Sequence, residues 1–183
     1  MLSPALVALL KRVSRSFYLS VRVLPAPVRG QVALGYLLAR AADTIADTPL
    51  LPASERLELL LLLRAAVHGG RAESDTLHSR LQRTQLQTPA AAATTNQAEQ
   101  QLLETLPECL ALLSEKSLST SDRALIEHVL DQLTTGMERD LERFPAAEVA
   151  VPPSQVVALA TWADLDDYTY YAAGCVGEFW TAV

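Results

Sequence analysis

Tyr36, Arg40, Asp43 and Asp47 are the residues of this 183-residue chain whose types and spacing could do chemistry together. They stand in or beside the run LLARAADTIADTPLLP, Leu37 to Pro52. At 3.6 residues per turn, positions 36, 40, 43 and 47 fall within roughly 60° of one another around a helix axis. A phenol, a guanidinium and two carboxylates then form one stripe, set in apolar surface from Leu34, Leu37, Leu38, Ala41, Ala42, Ile45 and Ala46.

Spacing alone also allows a solvated face, with Arg40 and Asp43 as an i,i+3 ion pair contributing about 0.2–0.5 kcal/mol. Two considerations weigh against that. Asp is a poor helix former, and both aspartates lie toward the negative end of the helix dipole, repelling each other across one turn. A cation should compensate them. Hard oxygen donors at this spacing suit Mg²⁺, which takes one or two protein carboxylates and completes its octahedron with water and substrate phosphates. On that reading Asp43 and Asp47 hold the metal, and Arg40 and Tyr36 donate to a diphosphate.

Other chemistries find less support. A net charge of -6 argues against general nucleic-acid binding, which needs a basic face. Cys109 and Cys175 form no C-x-x-C pair, so neither a zinc site nor a disulfide framework is indicated, and a reducing cytoplasm fits. His68, His78 and His128 lack metal-ligand spacing and read as surface or capping residues. No secretory signal is legible at the start, and the most apolar run, LELLLLLRAAV from Leu57, is too short and charged to span a bilayer.

The elements that must position the stripe are helices. Leu and Ala dominate, half the residues are hydrophobic, and no strand-type alternation with hairpin turns occurs, so an all-α bundle is expected. Ser3 and Pro4 open a first helix to about Arg12, and a second covers Ser16 to Val23 before LPAP. Pro27 sits in the first turn of a long helix that reaches Asp47 or Thr48. The next helix is capped at Ser54, buries its five leucines and stops at Gly69 and Gly70. From Arg83 the polar, alanine-rich run reads as a connector before a helix capped at Asn96. Long helices follow over about Ser121 to Arg143, and from Ser154 or Thr161 to the end, Thr161 and Asp164 giving a capping pattern.

The run SRSFYLSVRVLPAPVRGQVALGYLLARAADTIAD, Ser14 to Asp47, resembles the N-terminal signature of the squalene and phytoene synthase family, the head-to-head prenyl transferases. GMERDLERF, from Gly136 to Phe144, and DLDDYTYYAAGCVGEFW, from Asp164, agree in family order and at plausible separations. The resemblance implies an isoprenoid-synthase helical bundle around a central apolar cavity, capped by metal and diphosphate. It implies Asp43 and Asp47 as Mg²⁺ ligands. Ser14, Arg15, Ser16 and Phe17, with Tyr36 and Arg40, would hold diphosphate and the adjoining prenyl chain, and Tyr168 resembles the family tyrosine that handles protons and stabilises cations. Ala172, Val176 and Gly177 would line the substrate cavity on the Tyr168 helix. Gly174 and Gly177 equally suit close helix packing. The GMERDLERF helix is expected near the mouth of the site, without catalytic residues.

The implied reaction joins two farnesyl diphosphates to squalene through a cyclopropyl diphosphate, with Mg²⁺ and, for the reductive last step, NADPH. A phytoene-type condensation of geranylgeranyl diphosphate and a non-catalytic isoprenoid-binding subunit are the alternatives. Squalene ranks first because LLARAADTIADT and DLDDYTYYAAGCVGEFW look closer to bacterial squalene-forming members. Prenyl diphosphate is thus the expected partner, with peripheral association at the inner membrane surface, and no nucleic acid. The family pattern also has a second aspartate-rich helix beyond the tyrosine helix. Residues 1–183 are therefore expected to be a single isoprenoid-synthase domain whose C-terminal helices lie outside this chain.

Overall fold

The computed structural model describes residues 2–14, 16–48, 50–87, 97–114, 118–144 and 158–183, with side chains in the fifth helix described to residue 84. Every regular element among them is helical. The α-helices are α1 (Pro4–Ser14), α2 (Phe17–Val23), α3 (Ala26–Asp47), α4 (Ala53–Val67), α5 (Arg71–Gln87), α6 (Gln97–Glu104), α7 (Leu106–Ser114), α8 (Thr120–Arg143), α9 (Trp162–Thr169) and α10 (Cys175–Ala182). A π turn, Tyr170–Gly174, joins α9 to α10.

The all-α expectation is met, and α3 is the centre of the bundle. Its buried residues run from Val32 to Ala46 on more than one face, as befits a helix touched by α1, α2, α4, α6, α7 and α8. Small residues make that possible: Ala33, Gly35, Ala41 and Ala42 let neighbouring helices approach, while Leu37, Leu38 and Ile45 fill the core between them. Thr48 ends α3 in extended backbone (φ −64°, ψ 123°), the conformation imposed on a residue that precedes proline.

Caps follow the sequence closely in several places. The Ser3 hydroxyl accepts from the Leu6 amide at 3.2 Å, and Thr161 and Asp164 form a reciprocal capping box. Gly69 closes α4 at φ 92°, a left-handed conformation that disfavours any side chain.

Other expectations are corrected. The N-cap of α4 is Pro52, placing Ser54 inside the first turn. The five leucines are not uniformly buried: Leu59, Leu60 and Leu63 are, whereas Leu61 is 47% exposed, because one helix face is all that α3, α5 and α8 cover. The connector expected from Arg83 begins too early, since α5 continues to Gln87, anchored by Leu77 and Leu81 one turn apart in the core. Asn96 and Ser154 lie outside the described residues. The chain breaks between α6 and α7 where Pro107 removes an amide and its ring crowds the preceding turn.

Candidate functional site

Two adjoining cavities meet at the C-terminal half of α3. One, of about 330 Å³, is walled by Phe17, Val32, Gly35, Tyr36, Ala39, Val129, Leu133, Met137, Val176, Phe179 and Trp180, with Arg40, Asp43 and Ala172 at its edge. The other, of about 250 Å³, is acidic: Asp43 and Asp47 from α3 face Asp140 on α8 and Asp164 and Asp167 on α9, with Arg139, Arg143, Tyr168, Tyr171 and Ala172. Asp43, Leu133, Met137 and Ala172 belong to both walls, so the cavities share a boundary.

The helical stripe of the sequence is therefore real. Arg40 is held between two carboxylates, donating to Asp43 and, at 2.5 Å, to Glu99 of α6. Its Nε is buried without a hydrogen-bond partner. Asp43 titrates above the usual carboxylate range: burial is the main cause, Asp47 adds to it, and Arg40 opposes both. Arg40 itself is held above its ordinary value, its burial outweighed by Asp43 and Glu99 together.

The protein supplies part of the cationic compensation that the dipole argument demands. Besides Arg40, the buried Arg56 of α4 donates from Nη1 to the Ala46 carbonyl at 2.7 Å, satisfying an acceptor in the last turn of α3. That leaves the Asp43–Asp47 repulsion in place. Five aspartates against two arginines line the acidic cavity. Arg143 and Arg139 reach Asp164 and Asp167 at 3.4 Å. Asp164 is further committed to Thr161, whose hydrogen bond is the main reason it titrates low. Asp140 is shifted upward by burial. No group of three or more His, Cys, Asp or Glu side chains converges on a metal position among the described residues. A carboxylate pair that leaves other positions to water and phosphate is nevertheless the donor set Mg²⁺ takes in phosphate chemistry.

The second wall is shaped by the π turn. A π turn inserts one residue into the helical register. Tyr168 and Tyr171 then face the acidic cavity, Ala172 stands at the junction, and Val176 and Trp180 face the apolar one. Gly136 on α8 is what lets this turn approach: a Cβ there would lie 2.7 Å from the Tyr171 Cβ. Arg139 lies 4.3 Å from the centre of the Tyr171 ring, a cation–π contact. At the far end Phe17 stacks on Tyr36, with ring centres 4.6 Å apart, and meets Trp180 edge-on at 6.1 Å.

Of the residues expected from sequence, Phe17, Tyr36, Arg40, Asp43, Asp47, Tyr168, Ala172 and Val176 are brought together. The remaining four expected residues fare differently. Ser14 is buried, donates to the Leu10 carbonyl of its own helix at 2.5 Å, and lines neither cavity. Ser16 occupies the exposed turn before α2 and lines neither, and Arg15 lies outside the described residues. Gly177 lines neither cavity, and a Cβ added there would meet nothing within 4 Å. The glycine that governs close approach is Gly136. At Gly174 an added Cβ would lie 3.3 Å from Tyr170 Cδ2, a tight contact within its own turn, and at ordinary distance from the Thr169 carbonyl.

Sequence reasoning missed the charged residues opposite the stripe: Arg139, Asp140, Arg143, Asp164 and Asp167. Their signal was present in GMERDLERF and in the Thr161 capping box, but helical charge patterns carry no pointer to a cavity until α8 and α9 are placed together. Of the GMERDLERF run, Gly136, Met137, Arg139, Asp140 and Arg143 line the acidic cavity.

A comparison with curated proteins returned no match. The family model for squalene/phytoene synthase matches residues 10–183, which includes α3, α8 and the π-turn helix and hence the walls of both cavities. An all-α chain with that match, and with an aspartate pair at the head of an apolar cavity, belongs to the squalene/phytoene synthase family, a family of head-to-head prenyl transferases.

Proposed function

We propose that the protein condenses two farnesyl diphosphates head to head to squalene, with Asp43 and Asp47 as ligands of Mg²⁺. The observation that supports this reading is the position of Asp43, in the wall of the acidic and the apolar cavity at once. An allylic diphosphate lying across that boundary has its charged end beside the carboxylate pair and its hydrocarbon among Phe17, Tyr36, Val176, Phe179 and Trp180. Bound Mg²⁺ would supply neutralisation of the leaving diphosphate.

The chain's own contributions follow from the geometry. Arg40, fixed by Glu99, presents an oriented guanidinium in the wall of the apolar cavity beside Asp43, suited to the phosphate oxygens as charge develops on the leaving group. The C1–O bond of one substrate breaks to an allylic cation and free diphosphate, and the double bond of the second attacks C1 to leave a tertiary cation. Loss of a proton from that C1, which the released diphosphate can accept, closes the ring of a cyclopropyl diphosphate. The apolar walls exclude water that would quench the cation. Tyr36 in the apolar cavity and Tyr168 and Tyr171 in the acidic one border the space in which positive charge would develop. In the squalene reading NADPH supplies the hydride that ends the sequence.

Incubation with farnesyl or geranylgeranyl diphosphate and Mg²⁺, with and without NADPH, tests the assignment. Squalene formed only with NADPH, from the shorter substrate, is the expected result. Phytoene from the longer substrate would replace squalene by a phytoene-type reaction. Metal-dependent binding without turnover would favour an isoprenoid-binding subunit, or a catalytic unit that includes the second aspartate-rich helix. We read the site as working at the inner membrane surface, where a hydrocarbon product can leave. No helix among the described residues is long and apolar enough to cross a membrane.

A further inference from the structure

The charges of this chain are segregated along its length. Residues 1–42 contain Lys11, Arg12, Arg15, Arg22, Arg29 and Arg40 and no acidic residue, so all 21 Asp and Glu follow them. Of these cations, Lys11, Arg12, Arg22 and Arg29 are exposed and make no ion pair among the described residues. Among the described residues Arg29 donates only to the Leu24 carbonyl, at 2.7 and 3.2 Å, and Arg22 lies 6.0 Å from the Tyr18 ring centre. Neither contact neutralises charge. The cationic surface thus persists on a protein whose net charge is -6.

Apolar side chains stand among these cations. Leu19 is 62% and Val23 82% exposed, although Val21 between them is buried. On α2, Leu19, Val23 and Arg22 fall within about 100° of the helix circumference, opposite the buried side. Arg22 and Arg29 also rim a groove of about 500 Å³ between α1, α2 and the start of α3, whose walls include Val7, Tyr18, Pro27 and Leu118. This groove is separate from the two cavities at the other end of α3, and shares no lining residue with them.

We propose that the outer face of α2, with the adjoining groove, docks on an anionic phospholipid surface. Unpaired cations flanking exposed aliphatic side chains are the combination that such a surface rewards: the charges meet lipid phosphates while Leu19 and Val23 enter the acyl boundary. A nucleic acid would match the charge but leave both aliphatic groups in water. The proposal rests on the membrane-surface reading above and adds the face that makes contact; it does not depend on the reaction assigned to the cavities.

Flotation of the full chain with vesicles tests it, comparing phosphatidylcholine alone with phosphatidylcholine mixed with phosphatidylglycerol. Binding is expected only to the anionic vesicles and should fall as salt is raised. The variant Arg22→Gln/Arg29→Gln should weaken partitioning by on the order of tenfold. Leu19→Ser/Val23→Ser should weaken it while leaving helix content unchanged, and Leu61→Ser on α4 should leave it intact. Equal binding to neutral vesicles, indifference to these substitutions, or no vesicle binding would overturn the proposal. So would a dimer in sedimentation that the Leu19→Ser/Val23→Ser change dissociates, since that face would then be an interface between copies.

Discussion

Arg40 and Asp43, one turn apart on α3, are paired, yet Asp43 still titrates above the ordinary carboxylate range. The pairing is outweighed because Asp43 is partly withdrawn from water and Asp47 lies one turn on. A carboxylate pair held in this way is poised to gain from a divalent cation, since the ion removes the repulsion that the protein leaves uncompensated.

The stability consequence has a definite sign. A carboxyl group whose folded-state pKa lies above its unfolded value of 3.8 binds protons more readily when folded. Its contribution is therefore most favourable below that unfolded value, and is lost as pH rises through the raised folded value. At neutral pH the charged Asp43 lowers stability. Asp43→Asn should raise the thermal midpoint there, by the equivalent of no more than about 1 kcal/mol, because the side chain is 39% exposed and solvent screens the effect. Thermal unfolding at neutral pH and again near pH 3, where the difference should shrink, checks this.

Asp47→Asn should lower the Asp43 pKa, because it removes the second-largest cause of the upward shift. Carboxyl NMR titration reads the change directly. A midpoint for Asp43 that stays put would show that the two groups do not interact.

Gly136 and Gly177 separate packing from cavity lining. Gly136→Ala should cost about 1–3 kcal/mol, since its Cβ would collide with Tyr171 across the α8 contact with the π turn. Gly177→Ala should be neutral or stabilising by up to about 1 kcal/mol, through helix propensity in open space. Denaturant titration of both variants measures the contrast.

Leu60 and Leu61 are neighbours with opposite fates. Leu60→Ala should destabilise by about 2–5 kcal/mol, as for a fully buried leucine, and Leu61→Ala should change stability by less than about 0.5 kcal/mol. Cys109 gives a chemical check on the same core: burial pushes its thiol up to about 12, so alkylation at neutral pH should require unfolding.

The sequence carried more of the helices than of the site. Capping chemistry at Ser3 and Thr161 and the left-handed stop at Gly69 are local effects, and they are legible because a few neighbouring residues decide them. The stripe from Tyr36 to Asp47 is legible for the same reason, as helical geometry alone aligns it. Leu59 to Leu63 show the limit: an unbroken apolar run does not say which face a bundle will cover. The π turn was equally hidden, because YYAAG fits an α-helix and only the contact between Gly136 and Tyr171 reveals the approach. Arg139 and Arg143 join the site through α8 and α9 packing, a relation between segments more than 20 residues apart.

Calorimetric titration of farnesyl diphosphate into the wild-type chain and into the Asp43→Asn/Asp47→Asn variant, with Mg²⁺ and with the metal chelated, is the most direct test of the proposed magnesium diphosphate site. Wild-type binding should require Mg²⁺, and the variant should bind at least about tenfold more weakly, a loss of roughly 1.4 kcal/mol, while keeping its helix content and losing no thermal stability. Equal affinity in the chelated wild type, or undiminished Mg²⁺-dependent binding by the variant, would contradict it.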